Sequence, residues 1–195
     1  ALKPEYAKTN EFGLQYSNDS TFARAVIFDT SYRNLIAAGS TAVSNAYFAA
    51  QGVKQYENVN SSHNTGFEAQ LKKRINNIQI NLNLTHQSPV NQGAVVVQNK
   101  AMNFGNFDLN YSFNEKFETG FGAQSTSSRI TSSPASVKTY TSGYSLFRLH
   151  SSYKFDDGLR GVVSIENAFN KNYYQIYGYN TPGRGIYATL QYQPK

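Results

Sequence analysis

Strict alternation is the feature that most limits what this chain can fold into. In Ile78-Gln79-Ile80-Asn81-Leu82-Asn83-Leu84-Thr85 every even position is apolar and every odd position polar. The same beat runs through Phe107, Leu109, Tyr111 and Phe113, and through Ile186, Ala188, Leu190 and Tyr192. It recurs at Phe147, Leu149, Tyr153 and Phe155, and at Phe12, Leu14 and Tyr16. Successive side chains of a strand point to opposite faces, so a period of two means strands with one apolar and one polar face. Helical spacing is not sustained anywhere. The expected fold class is all-β and antiparallel.

The pattern resolves into about nine strands, over residues 5–17, 20–36, 52–73, 76–88, 101–113, 116–130, 142–155, 158–174 and 183–193. The connections alternate in length. Short turns fall at Ser17-Asn18-Asp19-Ser20, Arg74-Ile75-Asn76-Asn77, Asn114-Glu115-Lys116 and Asp156-Asp157-Gly158. Long links lie near 37–51, 89–100, 131–141 and 174–182, and carry Gly39, Gly52, Pro89, Gly93, Pro134, Gly143, Gly178 and Pro182, residue types that suit loops.

Two architectures accommodate such hairpins. A soluble sandwich or barrel turns its apolar faces inward, whereas a transmembrane barrel turns them to lipid and lines its lumen with polar side chains. The polar faces here are rich in Asn, Gln, Ser and Thr, not in the Lys and Glu of a soluble surface. Charged residues make up only 15% of the 195 residues, against roughly 25% in an ordinary soluble domain. The 15 Tyr and 13 Phe argue against a disordered chain. Many sit toward strand ends, as at Tyr16, Phe113, Phe117, Tyr153, Phe155, Phe169 and Tyr192, like an interfacial girdle. Phe155 and Phe169 read as structural residues near the short-turn side. Arg24 is the awkward position: it shares parity with Phe22, Val26 and Phe28 and would have to snorkel to the headgroups, while Ile27 shares parity with Asp29, Ser31 and Arg33.

An open edge cannot be satisfied in lipid, so a barrel must close, and bacterial single-chain barrels have even strand numbers. Nine is odd. The start, Ala1-Leu2-Lys3-Pro4-Glu5, lacks the apolar segment of a signal peptide. The expectation is therefore that residues 1–195 are the C-terminal segment of a larger barrel. A complete eight- or ten-stranded barrel is the alternative.

The net charge of +6 comes from scattered cations, with Lys72-Lys73-Arg74 the one cluster. It reads as a solvated turn, so no nucleic-acid partner is expected. The absence of cysteine excludes disulfide scaffolds, zinc–cysteine sites and thiol nucleophiles. His63, His86 and His150 lie in different strands without partners at ligand spacing, so no metal or cofactor is expected. No nucleophile constellation is legible, so the chain does not read as an enzyme. Glu68, Glu118 and Glu166 share the polar parity and are expected to meet Arg or Lys.

Several segments resemble TonB-dependent outer-membrane receptors. They are Leu2-Lys3-Pro4-Glu5 with Glu11-Phe12-Gly13, Tyr32-Arg33-Asn34-Leu35-Ile36, Gly66-Phe67-Glu68, Asn167-Ala168-Phe169-Asn170-Lys171-Asn172-Tyr173 and Pro182-Gly183-Arg184, in family order. Tyr177 to Arg184 is similar to the last loop of the cobalamin transporters within that family. The resemblance implies the C-terminal part of a roughly 22-stranded transmembrane β-barrel in the bacterial outer membrane. Its plug domain and earlier strands lie outside this chain. TonB would act through that plug, and the surrounding partner is outer-membrane lipid. Family members usually end in an aromatic residue; here Tyr192 is followed by Gln193-Pro194-Lys195.

Ligand-binding candidates are aromatics, amides and a cation of the long links. They are Tyr173, Tyr174, Tyr177, Tyr179, Asn180 and Arg184 in the last, and Tyr47, Phe48 and Tyr56 earlier. Tyr offers a flat apolar face with a hydroxyl, which suits a bulky, partly polar ligand. Arg184 also reads as a residue that holds the loop. The expected activity is import of a scarce nutrient, with cobalamin the first expectation and a ferric siderophore or haem the alternative. A passive porin-like channel, a barrel enzyme and a soluble lectin-like protein are the other classes, distinguished by a charged constriction, a nucleophile set and solubility without detergent.

Overall fold

The computed structural model describes residues 2–42, 46–58, 61–91, 95–132, 139–176 and 178–194. The strands are β1 (Tyr6–Asn18), β2 (Thr21–Arg33), β3 (Ile36–Ala42), β4 (Lys54–Asn58), β5 (Ser62–Ile75), β6 (Ile78–Asn91), β7 (Val95–Val96), β8 (Asn103–Ser112), β9 (Phe117–Thr126), β10 (Arg129–Ser132), β11 (Thr139–Thr141), β12 (Tyr144–Lys154), β13 (Leu159–Glu166) and β14 (Gly185–Tyr192), with a short helix α1 (Ala46–Ala50) between β3 and β4. Nine of them follow one antiparallel path, β1-β2-β5-β6-β8-β9-β12-β13-β14, and β7 pairs with β6 beside it.

The nine-strand reading holds, with corrections at the long-link end. The strand expected over 52–73 is two elements, β4 and β5, because β4 turns away to pair with β3. The strand expected over 158–174 stops at Glu166. There Asn167 adopts a left-handed backbone (φ 48°), which an extended strand cannot continue through. Phe169 consequently lies at the long-link end and not near the short turns. Gly39 and Pro89, expected in links, lie inside β3 and β6. Pro89 sits past the last β6–β8 pair, His86 with Asn103, where a residue without an N–H is tolerated. Gly93 and Pro134 lie outside the described residues.

Three of the four short turns are built by side chains that cap their own backbone. Asn18 Oδ1 accepts from Ser20 N and Thr21 N at 3.0 and 2.8 Å. Asn114 Oδ1 does the same for Lys116 N and Phe117 N, and Asp156 Oδ1 for Gly158 N and Leu159 N. Asn76 supplies the fourth turn through a positive φ of 50°, a conformation Asn tolerates.

Register assembles the alternating residues into two continuous faces. Phe12, Ile27, Phe67, His86 and Asn103 form one cross-strand row; Leu71, Leu82, Phe107, Ala123 and Phe147 form another below it on the same face. That face is apolar and uncovered: Phe12, Leu190 and Ile186 are 64%, 68% and 73% exposed. Among the described residues the buried apolar side chains are Val26, Pro89, Ala101, Ile130 and Tyr144. A sheet with a wide apolar face and almost no core needs an apolar solvent, and lipid supplies it. Near the short turns the face ends in ring contacts: Tyr111–Phe113 at 4.7 Å, Phe113–Phe117 at 5.2 Å and Tyr153–Phe155 at 5.2 Å.

The opposite face is polar, and it takes in Arg24. The register sets Arg24 against Gln15 on one side and Gln70 on the other. Both are polar-face residues, so Arg24 needs no path to the headgroups. The apolar residues sharing its parity are the exceptions instead. Val26 is buried against the Cβ-less Gly13, and the Phe28 ring lies where a Cβ on Gly66 would stand.

Candidate functional site in the polar face and the last loop

β8, β9 and β12 lie side by side in a register that aligns Asp108, Gly122 and Arg148 in one row and Asn110, Gly120 and His150 in the next. The glycines of β9 leave room for side chains of its two neighbours to meet over it. Arg148 Nη2 donates to Asp108 Oδ1 at 2.6 Å. His150 Nε2 donates to Asn110 Oδ1 at 2.8 Å. A Cβ on Gly122 would stand 2.8 Å from Asp108 Oδ1, and one on Gly120 would collide with the Asn110 amide and the His150 ring. Closer to the short turns, Arg160 Nη2 donates to Ser152 Oγ at 2.7 Å and lies 3.6 Å from Glu118 Oε1. Glu118 therefore meets the cation expected of it. Glu68 lines a smaller hollow of about 260 Å³ that Arg24, Gln70 and Asn83 also line.

A cavity of about 490 Å³ runs from the Asp108–Arg148 pair to the loop between β13 and β14. Asn106, Gln124, Glu166, Tyr173 and Tyr187 share its wall with that pair. It joins amides, two phenols, a cation and carboxylates on one surface, suited to a ligand of mixed polar and aromatic character.

The last loop is held by asparagines. Asn167 Oδ1 accepts from Lys171 N at 2.8 Å, while its Nδ2 donates to Lys171 O at 2.9 Å and Pro182 O at 3.4 Å. Asn170 Oδ1 accepts from Arg184 N at 2.9 Å. Thr181 Oγ1 donates to Tyr173 O at 2.5 Å. Tyr173 is half-buried, its ring 4.5 Å from that of Tyr144, which Arg129 overlies at 5.6 Å.

The structure places the expected site residues unequally. Tyr173 reaches the cavity wall. Tyr174, Tyr179 and Asn180 are exposed on the same loop, Tyr179 most strongly at 71%. Arg184 is exposed and directs its guanidinium to Ala168 O at 3.5 Å, a loop-holding contact made to a carbonyl. Tyr177 lies outside the described residues. Tyr47 and Phe48 sit on α1 with their rings edge to face at 5.4 Å, and Tyr56 is exposed on β4. These three belong to the β2–β5 connection, six strands along the sheet from β13, and are not brought together with the last loop within this chain. Asp108, Gln124, Arg148 and Tyr187 are cavity residues that sequence reasoning missed. Their signal was available, since each occupies the polar parity of an alternating strand.

Comparison with known proteins gives one family. The model of the family described as TonB dependent receptor-like, beta-barrel, matches residues 1–189. The probable TonB-dependent siderophore receptor PirA of Acinetobacter baumannii is 25% identical, over 98% of this chain and 30% of its own length. Among solved structures, the siderophore receptor PirA from A. baumannii superimposes with a TM-score of 0.77 at 22% identity, over 98% of this chain and 32% of that one. A mutant of the ferric enterobactin receptor PfeA of Pseudomonas aeruginosa gives 0.79 at 20% identity, covering 98% and 31%. The FrpB iron transporter from Neisseria meningitidis gives 0.78 at 18% identity, covering 98% and 32%. The chain thus spans about a third of the length of the proteins it resembles.

Proposed function

The chain belongs to the TonB-dependent receptor-like β-barrel family of the bacterial outer membrane, and from that premise we propose that it is the C-terminal wall of a receptor that imports a ferric siderophore. Earlier strands and a plug domain complete the protein in this reading, and TonB acts on the plug. The observation that carries the proposal is the cavity beneath the last loop. It offers the Arg148 guanidinium, the Tyr173 and Tyr187 side chains and the Asn106 and Gln124 amides on one wall. A ferric siderophore is a bulky, oxygen-rich chelate, often aromatic. The phenol rings match its flat faces, and the guanidinium and amides its oxygens. Tyr174, Tyr179, Asn180 and Arg184 extend that surface outward, and Tyr47 and Tyr56 add aromatic surface on the same rim, in the β2–β5 connection.

The sequence-based first expectation, cobalamin, gives way to its alternative. The relatives named above are siderophore or iron receptors. The chain's own role is to bind the chelate at the outer mouth and to line a hydrated passage with hydroxyls and amides. The driving energy comes through the plug, and no covalent bond is broken.

The test is equilibrium binding to the intact receptor that carries this chain, by quenching of intrinsic fluorescence with a ferric tris-catecholate and, separately, cyanocobalamin. Saturable quenching by the iron chelate alone is expected. Saturable binding of cyanocobalamin alone would overturn the proposal.

A further inference from the structure

Of the charged residues on the cavity wall, Arg148 and Asp108 answer each other, and Glu166 is left over. Among the described residues Glu166 enters no ion pair and no hydrogen bond. The cation expected beside it, such as Arg160 provides for Glu118, is missing there. Register explains its position. β12 and β13 pair as far as Leu149 with Ile165, so Glu166 stands one residue further out, on the polar face alongside Arg148. On its other side it pairs with Gly185 of β14. Gly185 has no side chain, and the Tyr187 phenol uses that space: a Cβ on Gly185 would stand 2.8 Å from Tyr187 Oη. Glu166 is thus half-buried between an already neutralised guanidinium and a phenol. The cations of the last loop do not serve it. Arg184 donates to Ala168 O, and Lys171 lines a different hollow with Tyr144, Ser145 and Phe169.

The wall therefore sets two carboxylates against one guanidinium, and its uncompensated charge is negative. A carboxylate drawn out of water without a counter-charge is costly. It gains most from a ligand cation, through a charge-assisted hydrogen bond, while a like charge in the same place is repelled. We propose that Glu166 sets the specificity of this site by selecting iron chelates that carry a primary ammonium or guanidinium group outside the iron centre. The phenols, the amides and the remaining N–H groups of Arg148 meet the rings and oxygens of the chelate, and Glu166 takes the cation. The inference rests on the reading of this cavity as the chelate site. It adds what that reading does not contain: among chelates of equal size and the same iron centre, the charge of one peripheral arm decides which is held.

The experiment is equilibrium titration of the intact receptor with three ferric chelates that share one iron centre and one linker. The linker ends in a free amine, in its N-acetyl amide or in its N-succinyl carboxylate. Wild type is compared with Glu166→Gln, Glu166→Asp and Glu166→Lys. Wild type is expected to bind the amine form roughly tenfold or more tightly than the acetyl form, and the succinyl form most weakly. Glu166→Asp is expected to keep that order, Glu166→Gln to bring the amine and acetyl forms together, and Glu166→Lys to put the succinyl form first. The readout is a ratio within one preparation, so a smaller folded fraction does not move it. An unchanged ratio in Glu166→Gln would overturn the proposal, and a lowered unfolding temperature in the same variant would assign Glu166 to holding another part of the receptor. If all three chelates bind wild type equally, the role of Glu166 falls and the transport reading stands. If none of them binds wild type, the transport reading falls and takes this inference with it.

Discussion

Arg148 Nη2 lies 2.6 Å from Asp108 Oδ1, and the strand between them contributes Gly122 to the same row. The ion pair spans two strand spacings because the middle residue has no side chain. Sequence distance hides this relationship, since the partners are 40 residues apart. The row sits at the foot of the cavity, so the pair both braces three strands and fixes a cation on the cavity wall.

Gly122→Val fills that gap and drives the carboxylate and guanidinium apart. The pair is part-exposed, so its loss alone costs about 0–1 kcal/mol. Steric displacement of the two side chains adds about 1–3 kcal/mol. Thermal unfolding of the barrel in detergent is expected to shift down. Asp108→Asn, which keeps the shape, is expected to shift it less.

Asn167→Ala removes three hydrogen bonds that close the last loop, to Lys171 N, Lys171 O and Pro182 O. It also replaces a residue type that tolerates the positive φ at that position with one that does so less readily. Each lost bond is worth about 1 kcal/mol. Faster protease nicking between residues 171 and 184 is expected, with the strands left intact.

Asn114→Ala and Asp156→Ala each delete the acceptor that holds two backbone N–H groups of a short turn. A loss of about 0.5–2 kcal/mol in barrel stability is expected from each, by analogy with the loss of a helix cap. Ferric-chelate affinity is expected to stay unchanged, because these turns lie at the far end of the strands from the cavity. Unfolding and chelate titration on the same sample check both statements.

Tyr173→Ala and Arg184→Ala separate binding from loop support. Tyr173 lines the cavity and packs its ring, tilted, against Tyr144, so its loss is expected to weaken chelate binding by roughly tenfold or more. Arg184 contacts the Ala168 carbonyl, so its loss is expected to change affinity by less than Tyr173 does. The opposite order in an equilibrium titration contradicts this assignment.

Much of the architecture was legible because its period is so regular. Ile78 to Thr85 and Phe107 to Phe113 state both their strands and their faces, and Asn18, Asn114 and Asp156 mark their turns. The long-link end was not legible in the same way. The β3–β4 and β10–β11 hairpins, the short helix at Ala46–Ala50 and the stop at Asn167 depend on local backbone choices that carry no periodic signal. Arg24 looked misplaced until its pairing with Gln15 and Gln70 was known, because a one-residue change of register reverses the face of a strand. Of the site, Tyr173 was within reach as a loop aromatic. For Arg148, Asp108 and Tyr187 the alternation gives the polar face alone; that they line one cavity follows only from their cross-strand neighbours.

Uptake decides whether this wall belongs to an iron-chelate importer. Cells carrying the intact receptor, with and without functional TonB, are given a radio-iron-loaded catecholate siderophore and, in parallel, labelled cobalamin. TonB-dependent accumulation of iron is expected, reduced by Tyr173→Ala, with no accumulation of cobalamin above receptor-less cells. TonB-dependent accumulation of cobalamin without that of iron would contradict it.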